Sequence, residues 1–277
     1  MFRYCAEDKN LIGFVSLTSS RTACSNAVIL VPGLTDGFMS MNYTEHLSKE
    51  LHAINFSLVQ VNLSSSFYQF GISSLQNDSK ELTQLVKYVK NEYNFQKIVI
   101  LGSSTGTQDA LWFAKHSDAC KLIDGFILQA PISDRDVMTE MDSTPNMLEE
   151  ARKLRTGGRL DALLSERFEG APITAYRYLS LAERLGDDDM FSVDLTTEEL
   201  RSVIPKVQVP IALCYSADDE YVANKEGLRE MAKRLRTILE ETSPMVDLKY
   251  FSGGHVLSKP EYYLPFVEYV CHFVSTL

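Results

Sequence analysis

No apolar stretch of this chain approaches the roughly 20 residues needed to cross a bilayer. The opening segment MFRYCAEDKNLIGFVSL also lacks an apolar core of about seven residues behind a basic end, the mark of a secretory leader. The expectation is a soluble cytoplasmic protein, in which the formal sequons at Asn42, Asn55, Asn62 and Asn77 carry no sugar. Cysteine is sparse and unpatterned: Cys5, Cys24, Cys120, Cys214 and Cys271 are widely spaced and never form a C-x-x-C pair. That argues against a disulfide framework or a zinc site, and for buried reduced thiols. Basic charge is also short, with 27 Lys and Arg against 37 Asp and Glu and a formal net charge of -10. Nucleic acid and anionic membranes are poor partners for such a surface. Acid runs such as Asp187-Asp188-Asp189 read as solvated loops and helix ends, with the run at Asp218 as the exception.

Present instead is an alternation of two patterns. Short, largely apolar runs recur at Ile12–Leu17, Val28–Val31, Leu58–Asn62, Ile98–Leu101, Phe126–Gln129, Ile211–Tyr215 and Val246–Phe251. Several are continuously apolar, as strands covered on both faces are. Helical patterns starting near Met41, Ser74, Thr105, Asn224 and Pro260 lie between or after them. Strand-helix alternation predicts an α/β fold with a mostly parallel, doubly wound sheet. From Ile132 to Pro205 no strand is legible, only charged helical stretches such as NMLEEARKLR and AYRYLSLAERL. An interval of that length is too long for a plain connection. It is read as a helical cap, residues 132–205, inserted into a core formed by residues 1–131 and 206–277.

One junction carries chemistry. The stretch KIVILGSSTGTQDALWFAKH is a strand that ends in glycines around serines and threonine and turns directly into a helix. A phosphate-binding loop is excluded, because Gly106 comes too early and no lysine follows it. The remaining reading is the elbow G-x-S-x-G, with Ser104 projected from a sharp turn between Gly102 and Gly106. Such a serine needs an acid and then a histidine later in the chain. IALCYSADDEYV and VDLKYFSGGHVL are strands running into loops that supply both at the same sheet edge. His46, His52, His116 and His272 sit in helical patterns, whereas His255 follows Gly253 and Gly254 on a loop that is free to aim the ring. Among Asp218, Asp219 and Glu220, Asp219 has the Asp-x-x-Val spacing to Val222 common in hydrolases of this shape. An oxyanion hole requires one amide after the nucleophile, Thr105, and one from the loop PGLTDGF, for which Leu34 is the candidate and Thr35 the alternative.

With a serine elbow, an acid and a histidine in this order and an oxyanion loop ahead of them, the chain resembles the α/β-hydrolase fold over nearly all its length. More narrowly, GLTDGF, LVQVNLSSSFYQFGISSL, GSSTGTQDAL, GFILQAPISDRD and AYRYLSL are similar to a formerly uncharacterised hydrolase family that includes fungal siderophore esterases of the fusarinine type. The resemblance carries Ser104, Asp219 and His255 onto nucleophile, acid and base. It implies an esterase without metal or cofactor that acts on a small ester, with hydroxamate siderophores as the leading substrate. The position before the nucleophile is commonly His in that family and is Ser103 here, a departure that bears on pocket shape. Tyr176, Arg177 and Tyr178 on a cap helix, with Phe38 and Trp112 near the oxyanion loop and elbow helix, are read as the substrate wall. The alternative for the two tyrosines is packing of the cap onto the core. A thioesterase, peptidase or acyltransferase would use the same residues, and a non-catalytic ligand-binding protein would have no use for all three together.

Overall fold

The computed structural model describes residues 1–6, 9–17, 19, 22–141 and 143–277. Eight strands form one sheet: β1 (Phe2–Ala6), β2 (Lys9–Val15), β3 (Asn26–Val31), β4 (Phe56–Asn62), β5 (Ile98–Ser103), β6 (Gly125–Gln129), β7 (Ile211–Ser216) and β8 (Val246–Phe251). Their order is β1-β2-β4-β3-β5-β6-β7-β8. The pairs from β4 to β8 are parallel, and β1 and β2 form an antiparallel ribbon at one edge. The continuously apolar runs are the central strands: every residue of β5, β6 and β7 is buried. The edge strand β8 instead mixes buried, half-buried and exposed positions. The first strand went unread in the sequence, because a five-residue edge strand beside an antiparallel partner lacks that continuous apolar signal.

Among the described residues nine α-helices accompany the sheet, with two short 3-10 helices at Phe67–Ile72 and Asp118–Leu122: α1 (Thr44–Ala53), α2 (Leu75–Tyr93), α3 (Gly106–His116), α4 (Asp134–Met138), α5 (Thr144–Thr156), α6 (Ala175–Ala182), α7 (Thr197–Val203), α8 (Lys225–Glu240) and α9 (Pro260–Thr276). In α8, Leu228, Met231, Ala232, Leu235, Ile238 and Leu239 are buried, an apolar stripe at helical spacing that faces the sheet. Ser74 opens α2 by accepting a hydrogen bond from the Asn77 amide, and Asn94 ends it in the left-handed conformation, the usual chemistry of helix termini. One face of the sheet packs on α2, α3 and α8 through residues such as Leu82, Phe113 and Leu235. The other packs on α1 and α9 through Leu47, Phe266 and Val270.

Between β6 and β7 lie α4 to α7. Residues of α5, α6 and the segment joining them, including Met147, Phe168, Ile173 and Tyr178, form a third apolar cluster with Phe70 and Met138. The end of the same interval packs differently, with Phe191, Leu195, Leu200 and Ile204 in the cluster under the sheet. The third cluster takes in Tyr178, whereas Tyr176 lies outside it. Tyr178 is fully buried, its ring edge-on to Phe168 at 5.8 Å, and the Tyr176 hydroxyl donates to the Asp187 carboxylate.

The acid run Asp187-Asp188-Asp189 corrects the expectation of a solvated loop. Asp188 and Asp189 are each 1% exposed. Asp188 pairs with Arg177 at 2.5 Å and Asp189 with Arg135 at 3.0 Å. Burial opposes the charge of Arg177, but the carboxylates of Asp188, Asp78, Asp109 and Asp134 around it raise its pKa above the ordinary value. A run of like charges looks solvated in sequence because its partners, which come from other turns of the chain, are not visible there. Cys24, Cys120, Cys214 and Cys271 are free thiols. Among the described residues no helix is long and apolar enough to cross a membrane.

Candidate active site

The carboxyl ends of β3, β5, β6, β7 and β8 face one cavity, as ligand sites of open α/β sheets do. At the end of β5 the chain turns so sharply that Ser104 has φ +53°, a region that a residue with a side chain occupies only when its surroundings hold it there. The flanking glycines are required by contact. A Cβ on Gly102 would lie 2.2 Å from the Gly106 carbonyl oxygen, and one on Gly106 would lie 2.3 Å from that of Val31. Gly33, after β3, approaches the same turn so closely that an added Cβ would be 2.9 Å from Ser104 Cβ.

Ser104, His255 and Asp219 form one hydrogen-bonded row. Ser104 Oγ is 2.8 Å from His255 Nε2, and His255 Nδ1 is 2.7 Å from Asp219 Oδ2. Asp219 is 2% exposed and His255 5%, so bulk water does not compete for the bond between them. The other oxygen of Asp219 accepts from the Tyr221 amide at 3.1 Å. Asp218, by contrast, is exposed and exchanges hydrogen bonds with the backbone of Gly253, each 3.1 Å long. It ties the loop after β7 to the loop after β8 without touching the imidazole. Leu34 and Thr105 both line the cavity, and Thr105 is the residue from which α3 starts. A helix start directs its free amides and positive dipole end outward.

Three side chains support the histidine in ways the sequence did not show, although Glu220 and Ser103 stood out there for other reasons. The His255 amide donates to Glu220 Oε2 at 2.8 Å, and Gln129 Nε2 donates to the His255 carbonyl at 2.8 Å. Ser103, at the position where the resembling family commonly has His, is buried and donates to Gln129 Oε1 at 2.5 Å. The residue before Ser104 is thus linked through Gln129 to the backbone of the histidine. Gln129 closes β6 at the same edge, which is where a search along strand ends would find it. Three other histidines are engaged elsewhere: His52 with Ser16, His116 against Trp112 and His46 beside Tyr263.

The cavity holds about 280 Å³. Its apolar wall comes from residues such as Met138, Met141, Phe168, Tyr221 and Val256, and Asp36, Asp134 and Glu169 supply carboxyl groups. No Lys or Arg lines it among the described residues. None of Phe38, Trp112, Tyr176, Arg177 and Tyr178, expected as the substrate wall, is among its lining residues. Trp112 packs against the core under the sheet and onto His116, 4.6 Å between ring centroids. The Phe38 amide donates to Asn62, and Tyr176 faces a separate surface groove with Asn77 and Leu160. Arg177 is spent on its buried ion pair. The apolar wall of the cavity comes from side chains on α4 and the segment after it, on the loop after α5 and on the loops after β7 and β8.

Asp134, which accepts from Gln108 Nε2 at 2.7 Å, has its pKa pushed up from 3.8 to about 7, first by burial and then by the charge of Asp188. Because the folded value is the higher one, the stability this group contributes is fully present below pH 3.8 and is lost as pH rises to about 7. Asp134→Asn keeps the acceptor for Gln108 and removes the titration. The stability of Asp134→Asn relative to wild type is expected to rise between pH 4 and 7 and to level off above. Thermal melts of both proteins across that range check it, and a pH-independent difference would contradict it.

The family model described as Protein of unknown function (DUF1749) matches residues 5–248. The fusarinine C esterase sidJ of Aspergillus fumigatus is 30% identical over 236 residues, 66% of this chain and 66% of that one. An esterase of Emericella nidulans is 26% identical over 278 residues, 76% of this chain and 74% of that one. Among solved structures, the siderophore hydrolase EstB from Aspergillus fumigatus superposes with a TM-score of 0.78 at 23% identity, over 99% of this chain and 96% of that one. Matched by the family model along most of its length, the chain belongs to the DUF1749 family and is a carboxylic ester hydrolase of the α/β-hydrolase fold.

Proposed function

We propose that ester hydrolysis here proceeds through an acyl-enzyme on Ser104. His255 Nε2 takes the hydroxyl proton as Oγ attacks the ester carbonyl, and the Leu34 and Thr105 amides receive the developing oxyanion. Asp219 accepts a hydrogen bond from Nδ1–H, holds the imidazole in the tautomer that leaves Nε2 free, and stabilises the imidazolium. That imidazolium then gives its proton to the departing alcohol. A water molecule activated by His255 repeats the sequence on the acyl-enzyme and releases the acid. The observation that carries this reading is the unbroken row of hydrogen bonds, 2.8 and 2.7 Å, from Ser104 to Asp219.

For the substrate, we propose a polar ester of the hydroxamate siderophore type. Similarity to a fusarinine C esterase supports it, as do the carboxyls of Asp36, Asp134 and Glu169 in the cavity, which favour neutral or cationic groups over anions. The segment between β6 and β7, which contributes Met138 from α4 and Phe168 from the loop after α5 to the wall, acts in this reading as the cap that selects it. Specificity constants for fusarinine C and p-nitrophenyl butyrate, measured with wild type and Phe168→Ala, test the proposal. Fusarinine C is expected to be preferred, and Phe168→Ala to reduce that preference by roughly tenfold, since remote binding energy is what raises turnover on a large substrate. Preference for the simple ester, indifferent to residue 168, would leave a general carboxylesterase.

A further inference from the structure

A second cavity, of about 180 Å³, adjoins the first. Ile132, Val137 and Tyr221 line both, so these three side chains are the wall between them. Phe191 and Leu228 form a buried floor in the second cavity. Thr139, Glu140 and Ala223 stand exposed around it, and Asp136 lies half-buried between, its carboxylate accepting from the Val193 amide at 3.0 Å. No basic side chain lines it among the described residues. Apart from the buried Ser133 hydroxyl, which is hydrogen-bonded to Ser192, the floor is apolar and the acceptors of Asp136, Thr139 and Glu140 lie outward.

The position of the dividing wall relative to the imidazole gives this chamber a role. The Tyr221 ring meets the His255 ring edge-to-face, 5.0 Å between centroids, so the second chamber opens on the histidine side of the serine. In the mechanism proposed above, on which this inference rests, the bond from carbonyl carbon to the alcohol oxygen breaks as the Ser104 Oγ ester remains. The alcohol oxygen takes the proton from His255 Nε2. It must therefore lie within hydrogen-bond reach of that nitrogen, which directs the alcohol half of the substrate past Tyr221. We propose that the chamber between Tyr221, Phe191 and Leu228 is the binding site for the leaving alcohol, and that it takes an alcohol whose chain is apolar next to the ester and ends in a hydrogen-bond donor.

The experiment uses methyl, hexyl and 6-hydroxyhexyl butyrate. All three pass through the same butyryl-enzyme, and kcat/KM reports the acylation step in which the alcohol leaves. In the wild-type protein kcat/KM is expected to rise at least about tenfold from methyl to hexyl, the scale on which a few methylenes in an apolar pocket discriminate, and to be held or raised in the 6-hydroxyhexyl ester. Ala223→Trp, at an exposed position that lines only this chamber, should abolish the gain and leave methyl butyrate within about twofold of wild type. Thr139→Trp is the second, independent way to fill it should the first variant not fold. A flat alcohol series, or a gain that survives the folded filled variant, overturns the assignment. Loss of the methyl ester in step with the longer ones overturns it as well. Ser104→Ala run in parallel separates the two readings. If it still turns over methyl butyrate, the nucleophile is wrong; if it is inactive while the wild-type series is flat, only the alcohol site is wrong.

Discussion

Ser104→Ala is expected to lower ester turnover by about a thousandfold or more with the fold unchanged, and His255→Ala to do the same, because members of one catalytic unit fail together rather than additively. The expectation rests on the single hydrogen bond joining them and on the left-handed conformation of Ser104, which aims its hydroxyl into the cavity at the cost of backbone strain. A fluorophosphonate probe should label the wild-type serine and leave Ser104→Ala unmarked, as read by intact mass. Turnover by purified Ser104→Ala above about a tenth of wild type would exceed what a broken triad retains and would remove Ser104 as the nucleophile.

Asp219→Asn should be the most damaging conservative change at the site. Replacing the acid by its amide in a serine-protease triad costs about ten-thousandfold, because the amide selects the wrong imidazole tautomer. A loss on that order is expected here, since Asp219 is buried and accepts from both the imidazole and the Tyr221 amide. Asp218→Asn should cost little: the side chain is exposed, and its contact with the Gly253 amide needs only a carbonyl oxygen, which asparagine retains. The kcat values of the two variants on one ester decide the matter, and equal losses, or a larger one at Asp218, would reverse the assignment.

How far the sequence reached differs between the parts of the site. The elbow was legible because its demands are local. Gly102 and Gly106 are fixed by backbone atoms that a Cβ would strike, and such steric requirements leave a signature within five residues. His255 was legible for a similar reason, since the turn before it needs Gly253 at φ +108°. The lining of the cavity was not. Tyr176, Arg177 and Tyr178 were chosen because they cluster on one helix of the expected cap, and α6 buries Arg177 and Tyr178 among other residues. Phe168 and Tyr221, which do face the cavity, come from loops with no periodic pattern to mark them.

The sequence by itself determined the parallel sheet, its covered strands and the order of serine, acid and histidine along the chain. These follow from side-chain periodicity, from glycine sterics and from the rule that loops after parallel strands share one edge. Tertiary structure alone decided which acids are buried in pairs and which line a cavity, how Gln129 and Glu220 hold the histidine, and which side chains form the pocket. Each of these depends on groups far apart in sequence: 54 residues separate Arg135 from Asp189 and 126 separate Gln129 from His255. No local pattern records such a pairing, because the free energy that selects it comes from burial and hydrogen bonding available only once the chain has closed around both partners.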